Sequence, residues 1–582
     1  MRKSGESAVL LIFGAFVLAS CAHKTQKICD NIVMREGSLS LSSNEKVLVC
    51  GSDKGRAGWN EIPIPQAQHQ LSVYLNNEGY LSPRFEREQN QLQVWSGPRS
   101  EISALEVTGV DGLLDPNKKR KIVGEPLVPA RLDEVQQWAE TELRNNGYAC
   151  PQVTVQGQAW DNKLIAKIEK GQEQTIGGIS RLGLDGIDQS YLSRYEAFEI
   201  GDVYDVRKTQ LTVSRMLADG FIQSANFVAA CRGNKADLTL RSSIGPPKVF
   251  RFEVGASTEE FPFASVTFRN ARVDDRASSF TATLYASPRT QSITGSSQLY
   301  WLPWTKKAFF GPRARLARVS EKTFEYLEAK AGADIGRLWD IWDVRFIGRV
   351  GPTMNYTETK VGIGPENISY LSWEGSLEAM SHTYESNLRN QYEGWAGSFR
   401  YRGQKKGLGS EIDVNRYDAT YKNLWNIASY SPPLLVLGFR LELNAVDADQ
   451  AYPGQDNREL VPIDYRVFYG GAENLRGFSR KSITNGNVGF LSAAYAGFEL
   501  RLIEQIPYNI QPLLLVDLAR LGTESMTLDD PLFTSMGAGV RWASPFGTLR
   551  GSAARGKIYQ ENVNTAGYAQ EWVYFVSFGQ EF

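Results

Sequence analysis

From Val249 to the C-terminus the chain runs in short segments in which apolar or aromatic residues alternate with polar or charged ones. In order they are "VFRFEVGAS", "ASVTFRNARV", "SFTATLYAS", "SSQLYWLPW", "ARLARVSEK", "DVRFIGRVG", "GSFRYRGQ", "LVLGFRLELNAV", "AAYAGFELRLI", "PLLLVDLARLG", "GAGVRWAS", "GTLRGSAARG" and "WVYFVSFGQEF", with Gly, Asn, Asp and Pro turns between them. Alternation with period two predicts strands. In a soluble sandwich the apolar face would turn inward; in a membrane barrel it faces lipid and the polar face lines the lumen. Charges spread through the strands and aromatic strand ends favour the barrel. About 330 residues at roughly 20 per strand and connection predict about sixteen antiparallel strands. Closing them satisfies backbone groups that lipid cannot.

Before Val249 the period changes. "LSVYLNNEGY", "AETELRNNGY" and "VSRMLADGF" carry apolar residues at helical spacing and end on Gly79-Tyr80, Gly147-Tyr148 and Gly220-Phe221. They recur about 70 residues apart, the mark of one supersecondary unit per repeat. Each Gly is placed to stop its helix in a left-handed conformation. Two strands follow each helix, as in "PQVTVQGQ" with "NKLIAKIEKG" or "ANFVAACRG" with "ADLTLRSSIGPP". A further strand opens each unit: "EKVLVCG", "SALEVTGV" and "ISRLGLDGI". The expected division is three α+β repeats over 45–100, 101–175 and 176–247, then an all-β transmembrane barrel over 248–582. Residues 21–44, polar and rich in Ser and Lys, read as a tether.

The first twenty residues join a basic start to an apolar run from Ala8 to Ala19, as an export signal requires. That run is too short for a membrane-spanning helix, which needs about 20 apolar residues. Charge is balanced, 64 Lys plus Arg against 65 Asp plus Glu, and gives no argument for nucleic acid. His23, His69 and His382 lie far apart, leaving little for a His-dependent triad or a multi-His metal site. No nucleophile, base and orienter share a recognisable motif. The expectation is a protein that is not an enzyme, with no catalytic residues, cofactor or metal. Cys29, Cys50, Cys150 and Cys231 allow two disulfides in an oxidising compartment. Cys29 with Cys50 is the preferred pair because it closes a short loop, and separate thiols are the alternative.

Several stretches resemble known families. "LASC", ending at Cys21, resembles a bacterial lipobox, whose Cys is lipidated; Ala22 after it resembles an outer-membrane address. The three α+β repeats resemble POTRA domains, periplasmic modules whose exposed sheet edge can pair with an extended client. "YGGAENLRGF" resembles the sixth-loop motif of the BamA/TamA outer-membrane assembly superfamily, placing the motif on Leu475, Arg476, Gly477 and Phe478 after Gly470 and Gly471. In that family the loop folds back into the lumen and its Arg meets acidic wall residues. The resemblance places these on Glu499 of "AGFELRLIEQIP" and Asp517 of "QPLLLVDLARLG". "SMGAGVRWASPFGTLRGSAA" resembles the next strand pair through Gly537, Gly539, Arg541, Trp542, Pro545, Gly547, Leu549 and Arg550. Ala519 stands where the family usually has Gly. The last strand, with Tyr574, Phe578 and Phe582, resembles the terminal signal by which such barrels are recognised for insertion.

Three repeats resemble the TamA branch, and a lipobox is not its usual beginning. The resemblance implies a barrel, monomeric in the outer membrane, contacting its lipid. It further implies POTRA domains in the periplasm, unfolded outer-membrane protein clients such as autotransporters, and a TamB-like inner-membrane-anchored partner. Its alternative is a two-partner-secretion-type exporter pore with a dedicated substrate.

Overall fold

The computed structural model describes residues 25–51, 62–88, 91–110, 112, 114–302, 305–386, 391–410, 412–429, 433–448, 456–503, 506–544, 547–559 and 572–578. The chain divides into two compact units, Met1–Glu173 and Gln174–Phe582.

The first unit holds two α+β modules. One opens with a hairpin of β1 (Gln26–Cys29) and β2 (Ile32–Glu36), continues through helices α1 (Ser43–Cys50) and α2 (Ile64–Asn77), and ends on β3 (Arg84–Glu88) and β4 (Gln91–Trp95). Its sheet order is β1-β2-β4-β3, with β2 parallel to β4. Two expectations are corrected here. The tether is in part a folded hairpin, because Ile32 and Met34 are buried in the module core. "EKVLVCG" forms α1 rather than a strand, because Ser42 and Glu45 make a capping box that satisfies the first free N–H groups of a helix. The Cys29–Cys50 disulfide ties the hairpin to that helix, with Cα atoms 5.7 Å apart.

The second module runs β5 (Ala104–Thr108), α3 (Pro116–Ile122), α4 (Pro129–Asn145), β6 (Gln152–Gln158) and β7 (Lys163–Glu169), with sheet order β5-β7-β6 and β5 parallel to β7. The repeated Gly-aromatic ending has one geometry in both modules. Gly79 and Gly147 take φ of 92° and 95°, and the N–H of Tyr80 or Tyr148 donates to the carbonyl of Leu75 or Leu143, five residues back. This left-handed stop turns the chain off the helix and into the next strand.

The second unit begins with a third module of the same plan: β8 (Thr175–Leu182), a 3-10 turn over Gln189–Arg194, α5 (Val206–Asp219), β9 (Ile222–Arg232) and β10 (Lys235–Ile244), in order β8-β10-β9. Sixteen antiparallel strands follow. The first eight are β11 (Lys248–Gly255), β12 (Phe263–Asn270), β13 (Ser279–Ala286), β14 (Thr290–Gln298), β15 (Ala308–Ser320), β16 (Glu325–Ile341), β17 (Val344–Val361) and β18 (Asn367–Ser381). A short helix α6 (His382–Ser386) leads to β19 (Gly394–Gln404), β20 (Val414–Asn426) and β21 (Leu435–Ala448). After helix α7 (Asn457–Leu460) come β22 (Ser492–Leu502), β23 (Ile510–Gly522), β24 (Leu532–Ser544), β25 (Gly547–Tyr559) and β26 (Trp572–Phe578), each paired to its sequence neighbours.

The pattern is inside-out, as lipid demands. On β17 Val350 and Met354 are exposed while Thr353, Asn355 and Thr357 are buried; on β23 Leu514 is exposed and Asp517 fully buried. Three strands, β16, β18 and β20, are absent from the segments picked out by alternation. "EYLEAKAGADIGRLWDI" mixes Ala, Gly and acidic residues and carries little apolar contrast between its faces. "SSQLYWLPW" shifts too: β14 ends at Gln298, and Tyr300 lies buried beyond it.

The third module docks on one rim of the barrel. Arg215 on α5 donates to Asp340 Oδ1 and Glu385 Oε2, both at 2.7 Å. Arg194 donates to the carbonyls of Arg276 and Ala277 at 3.1 and 2.9 Å and lies 3.9 Å over the Tyr300 ring. All these partners sit in or beside connections at the same end of the strands. The long connection from β21 to β22 therefore leaves from the opposite rim.

Candidate functional site

That connection turns back into the lumen. Val467, Tyr469, Leu475, Phe478 and Ile483 form one apolar cluster with inward residues of β22 to β25, among them Tyr495 and Phe533. Ala519, in place of the glycine the resemblance expects, is a buried member of this cluster.

Arg476 lies at the centre, 2% exposed at its side chain, with Glu499 at 3% and Asp517 at 0%. Its backbone N and its Nε donate to Asp517 Oδ2, both at 3.0 Å; its Nη2 donates to Asp517 Oδ1 at 2.6 Å, and its Nη1 to Glu499 Oε2 at 2.7 Å. One rigid fork thus holds two carboxylates on neighbouring strands, which a single ammonium could not orient in this way. The carboxylates are further satisfied by the wall. Asp517 accepts from Tyr495 Oη at 2.9 Å and Ser535 Oγ at 2.8 Å; Glu499 accepts from Arg501 at 2.6 Å and Arg550 at 2.5 Å. Buried charge needs this completeness, since an unpaired ion in such surroundings is costly.

The glycines explain how the loop comes so close. Gly470 and Gly471 adopt φ of 105° and 125°, a left-handed region that side chains disfavour. A Cβ on Gly477 would meet the Gly556 backbone of β25, with Cα at 2.6 Å, and a Cβ on Gly556 would stand 2.7 Å from the Gly477 carbonyl. Two backbones therefore touch, and each needs the other's missing side chain. Gly497 leaves room for the Tyr495 hydroxyl to reach Asp517.

The barrel closes by a narrow seam. Every residue of β11 pairs with β12, and among the described residues none of Lys248–Gly255 has a ladder partner on its other edge. Among the described residues the first and last strands meet beyond that, where Ser257 bridges Ser577, Thr258 N donates to the Val576 carbonyl at 2.9 Å, and Phe578 N to the Ala256 carbonyl at 3.1 Å. Phe252 and Val254 of β11 are 73% and 79% exposed, an apolar unpaired edge.

The structure thus brings Gly470, Gly471, Leu475, Arg476, Gly477, Phe478, Glu499 and Asp517 into one lumenal assembly, with Arg550 joining it. Tyr574 and Phe578 share one face of β26. Cys21, Pro545 and Phe582 lie outside the described residues. Tyr495, Ser535, Arg501 and Gly556 were missed. Tyr495 and Arg501 are even-numbered steps from Glu499 on one strand, so period two alone places them beside it; Ser535 and Gly556 become neighbours only through strand pairing and loop docking.

Apolar outward faces, a charged lumen and an infolded loop locked to the wall define a membrane-embedded barrel. The Omp85 superfamily domain matches residues 279–575, and the chain belongs to that superfamily. It is similar to a crystal structure of BamA from Haemophilus ducreyi lacking POTRA domains 1–3, at 15% identity over 82% of this chain and 99% of that one, TM-score 0.49. It is also similar to CdiB from Acinetobacter baumannii, at 15% identity over 82% and 89% of the two chains, TM-score 0.47. CdiB from Escherichia coli matches at 13% identity over 88% and 95%, TM-score 0.46. The assignment rests on the domain match. As an Omp85 member the protein is an outer-membrane insertion or translocation factor and not an enzyme, with its barrel in the outer membrane and POTRA-type α+β domains in the periplasm.

Proposed function

We propose that this chain is a TamA-like assembly factor that inserts or exports β-barrel and autotransporter-type clients, working with a TamB-like partner held by its POTRA domains. The observation that carries the reading is the β11 edge: a row of backbone donors and acceptors with no strand partner among the described residues, opening toward lipid. A client strand that pairs there gains hydrogen bonds that lipid cannot provide, and this drives insertion without a nucleotide or other energy source at this subunit. Three α+β modules, each closing on a helix followed by two strands, favour the TamA branch. Their working limits are 26–100, 101–175 and 176–247, with the barrel from 248. The Arg476–Glu499–Asp517 contact acts as a lock that holds the barrel in its assembly-competent form. Tyr574, Phe578 and Phe582 act as the terminal insertion signal, and Cys21 carries lipid that anchors the N-terminus.

The test is depletion in the native cell, with quantitative proteomics of purified outer membranes and complementation by wild type or Arg476→Ala at equal abundance. Loss of a defined set of other barrels, rescued by wild type and poorly by the variant, is expected. Unchanged barrels with one secreted protein trapped in the periplasm would instead establish the exporter, whose path would run through the charged lumenal cavity of about 630 Å³ beside β14 to β19. Lipid labelling that persists in Cys21→Ala removes the anchor.

A further inference from the structure

The loop that carries Arg476 holds a second arginine four residues on, and it reaches the other side of the seam. Residues 476–478 are fastened to the C-terminal strands: Arg476 to β22 and β23, Gly477 to β25, and the Phe478 ring 5.9 Å from that of Phe533 on β24. Arg480 turns to the N-terminal strands. Its guanidinium lies 3.1 Å from Glu260 and 3.8 Å from Glu259 in the β11–β12 turn, and 3.0 Å from Glu321 in the β15–β16 turn. Lys481 adds a contact to Glu321 at 3.1 Å. Arg289, from the β13–β14 turn, meets Glu321 at 2.9 Å and the Glu259 carbonyl at 2.7 Å.

The β11–β12 turn is also where the seam closes. Glu260 and Ser257 exchange hydrogen bonds within the turn, and Ser257 is the residue that bridges Ser577. Thr258, beside Glu259, donates to Val576. Ala472 N donates to Glu259 at 3.0 Å, and a Cβ on Gly471 would stand 2.5 Å from the same carboxylate oxygen, so the double glycine is shaped to this turn as well.

We propose that residues 476–480 form a strap across the inside of the seam, with Arg476 its fixed end and Arg480 its releasable end. Arg480 is thereby a positioning residue that sets how readily β11 and β26 part. Admitting one strand widens the seam by about 4.8 Å. The two peptide units from Phe478 to Arg480 extend at most about 7 Å and leave little slack. One clamp must yield. Arg476 is sealed from water, whereas the Arg480 side chain is 23% exposed and can exchange carboxylates for water. The inference rests on the β11–β26 seam being the working edge.

The test is amide exchange by mass spectrometry on the full-length protein in lipid nanodiscs, reading the peptides that hold Thr258 and Phe578, whose N–H groups cross the seam. Arg480→Ala and Glu321→Gln are expected to speed exchange about fivefold, the factor that ~1 kcal/mol produces, while Arg480→Lys stays within about twofold of wild type. The β12–β13 ladder is the control and keeps its rate. A Ser257→Cys/Ser577→Cys disulfide abolishes the acceleration. Seam exchange unchanged in Arg480→Ala overturns the strap, as does equal acceleration in the control ladder, which signals general loosening. Client proteomics on the same variants separates the two readings: a faster seam with all clients intact leaves the strap standing and removes the assembly function.

Discussion

Replacing Arg476 by Ala removes three side-chain hydrogen bonds to two buried carboxylates. The two carboxylates fare differently. Glu499 keeps Arg501 and Arg550, whereas Asp517, fully buried, is left among the described contacts with only neutral donors: Tyr495, Ser535 and the backbone N–H of residue 476. One uncompensated buried charge places the cost of keeping the loop docked at about 3–5 kcal/mol. Asp517→Asn removes that charge while Arg476 retains Glu499, so it costs about 1.5–3 kcal/mol, the range for hydrogen bonds to charged groups. The double variant leaves neither the orphaned carboxylate nor the frustrated fork, and a coupling of at least about 2 kcal/mol is expected between the sites. Trypsin cleavage after Arg480 and Lys481 is a direct assay, because the rate follows the population of released loop when release is fast. A shift of ~3 kcal/mol corresponds to cleavage roughly 100-fold faster in Arg476→Ala. Cleavage within about threefold of wild type, or a double variant whose cost equals the sum of the singles, would refute the charge argument.

Gly556→Ala, which touches no charge, is expected to displace the loop by overpacking, at about 1–3 kcal/mol, and to raise the same cleavage rate; a wild-type rate would mean the backbones are free to separate. Arg215→Ala strips Asp340 and Glu385 of their shortest cation contact, leaving Asp340 with His382 Nε2 at 2.9 Å and Arg345 at 3.8 Å and Glu385 with Arg345 at 4.0 Å, so α5 and residues 382–386 are expected to lose amide protection together, by about 3 kcal/mol. Loss confined to one of the two segments would show that the third module and the rim open independently. Cys29→Ser/Cys50→Ser opens a cross-link between positions 21 apart, worth ~3 kcal/mol of unfolded-chain entropy, and is expected to lower the urea concentration at which protease nicks residues 26–95.

Much of the architecture was legible because it is written in local periods. Alternation marks strands and helical spacing marks helices, and a Gly-aromatic ending repeated three times exposes the modules before any contact is known. The lock was legible only through resemblance: nothing in the spacing of Arg476, Glu499 and Asp517 requires them to meet, since they sit on a loop and two strands. Their meeting depends on the loop turning inward, and that is decided by apolar packing of Leu475 and Phe478 against the wall and by the Gly477–Gly556 backbone contact. Local pattern misled where it was weak or overridden. "EKVLVCG" has strand-forming valines, yet a capping box and a disulfide hold it as a helix. The polar stretch before it hides Ile32 and Met34, two apolar residues whose burial needs the sheet around them.

The sequence by itself therefore determined the kind of molecule: modular, and ending in strands with an apolar side for lipid and a polar side for the lumen. Those properties are sums over local choices, each fixed by side-chain chemistry and backbone period. Tertiary structure alone decided which charges pair, that β11 keeps a free edge among the described residues, and that Arg476 and Arg480 hold opposite sides of the seam. These are contacts between residues far apart in the chain, and register and loop docking, which no local period encodes, bring them within reach.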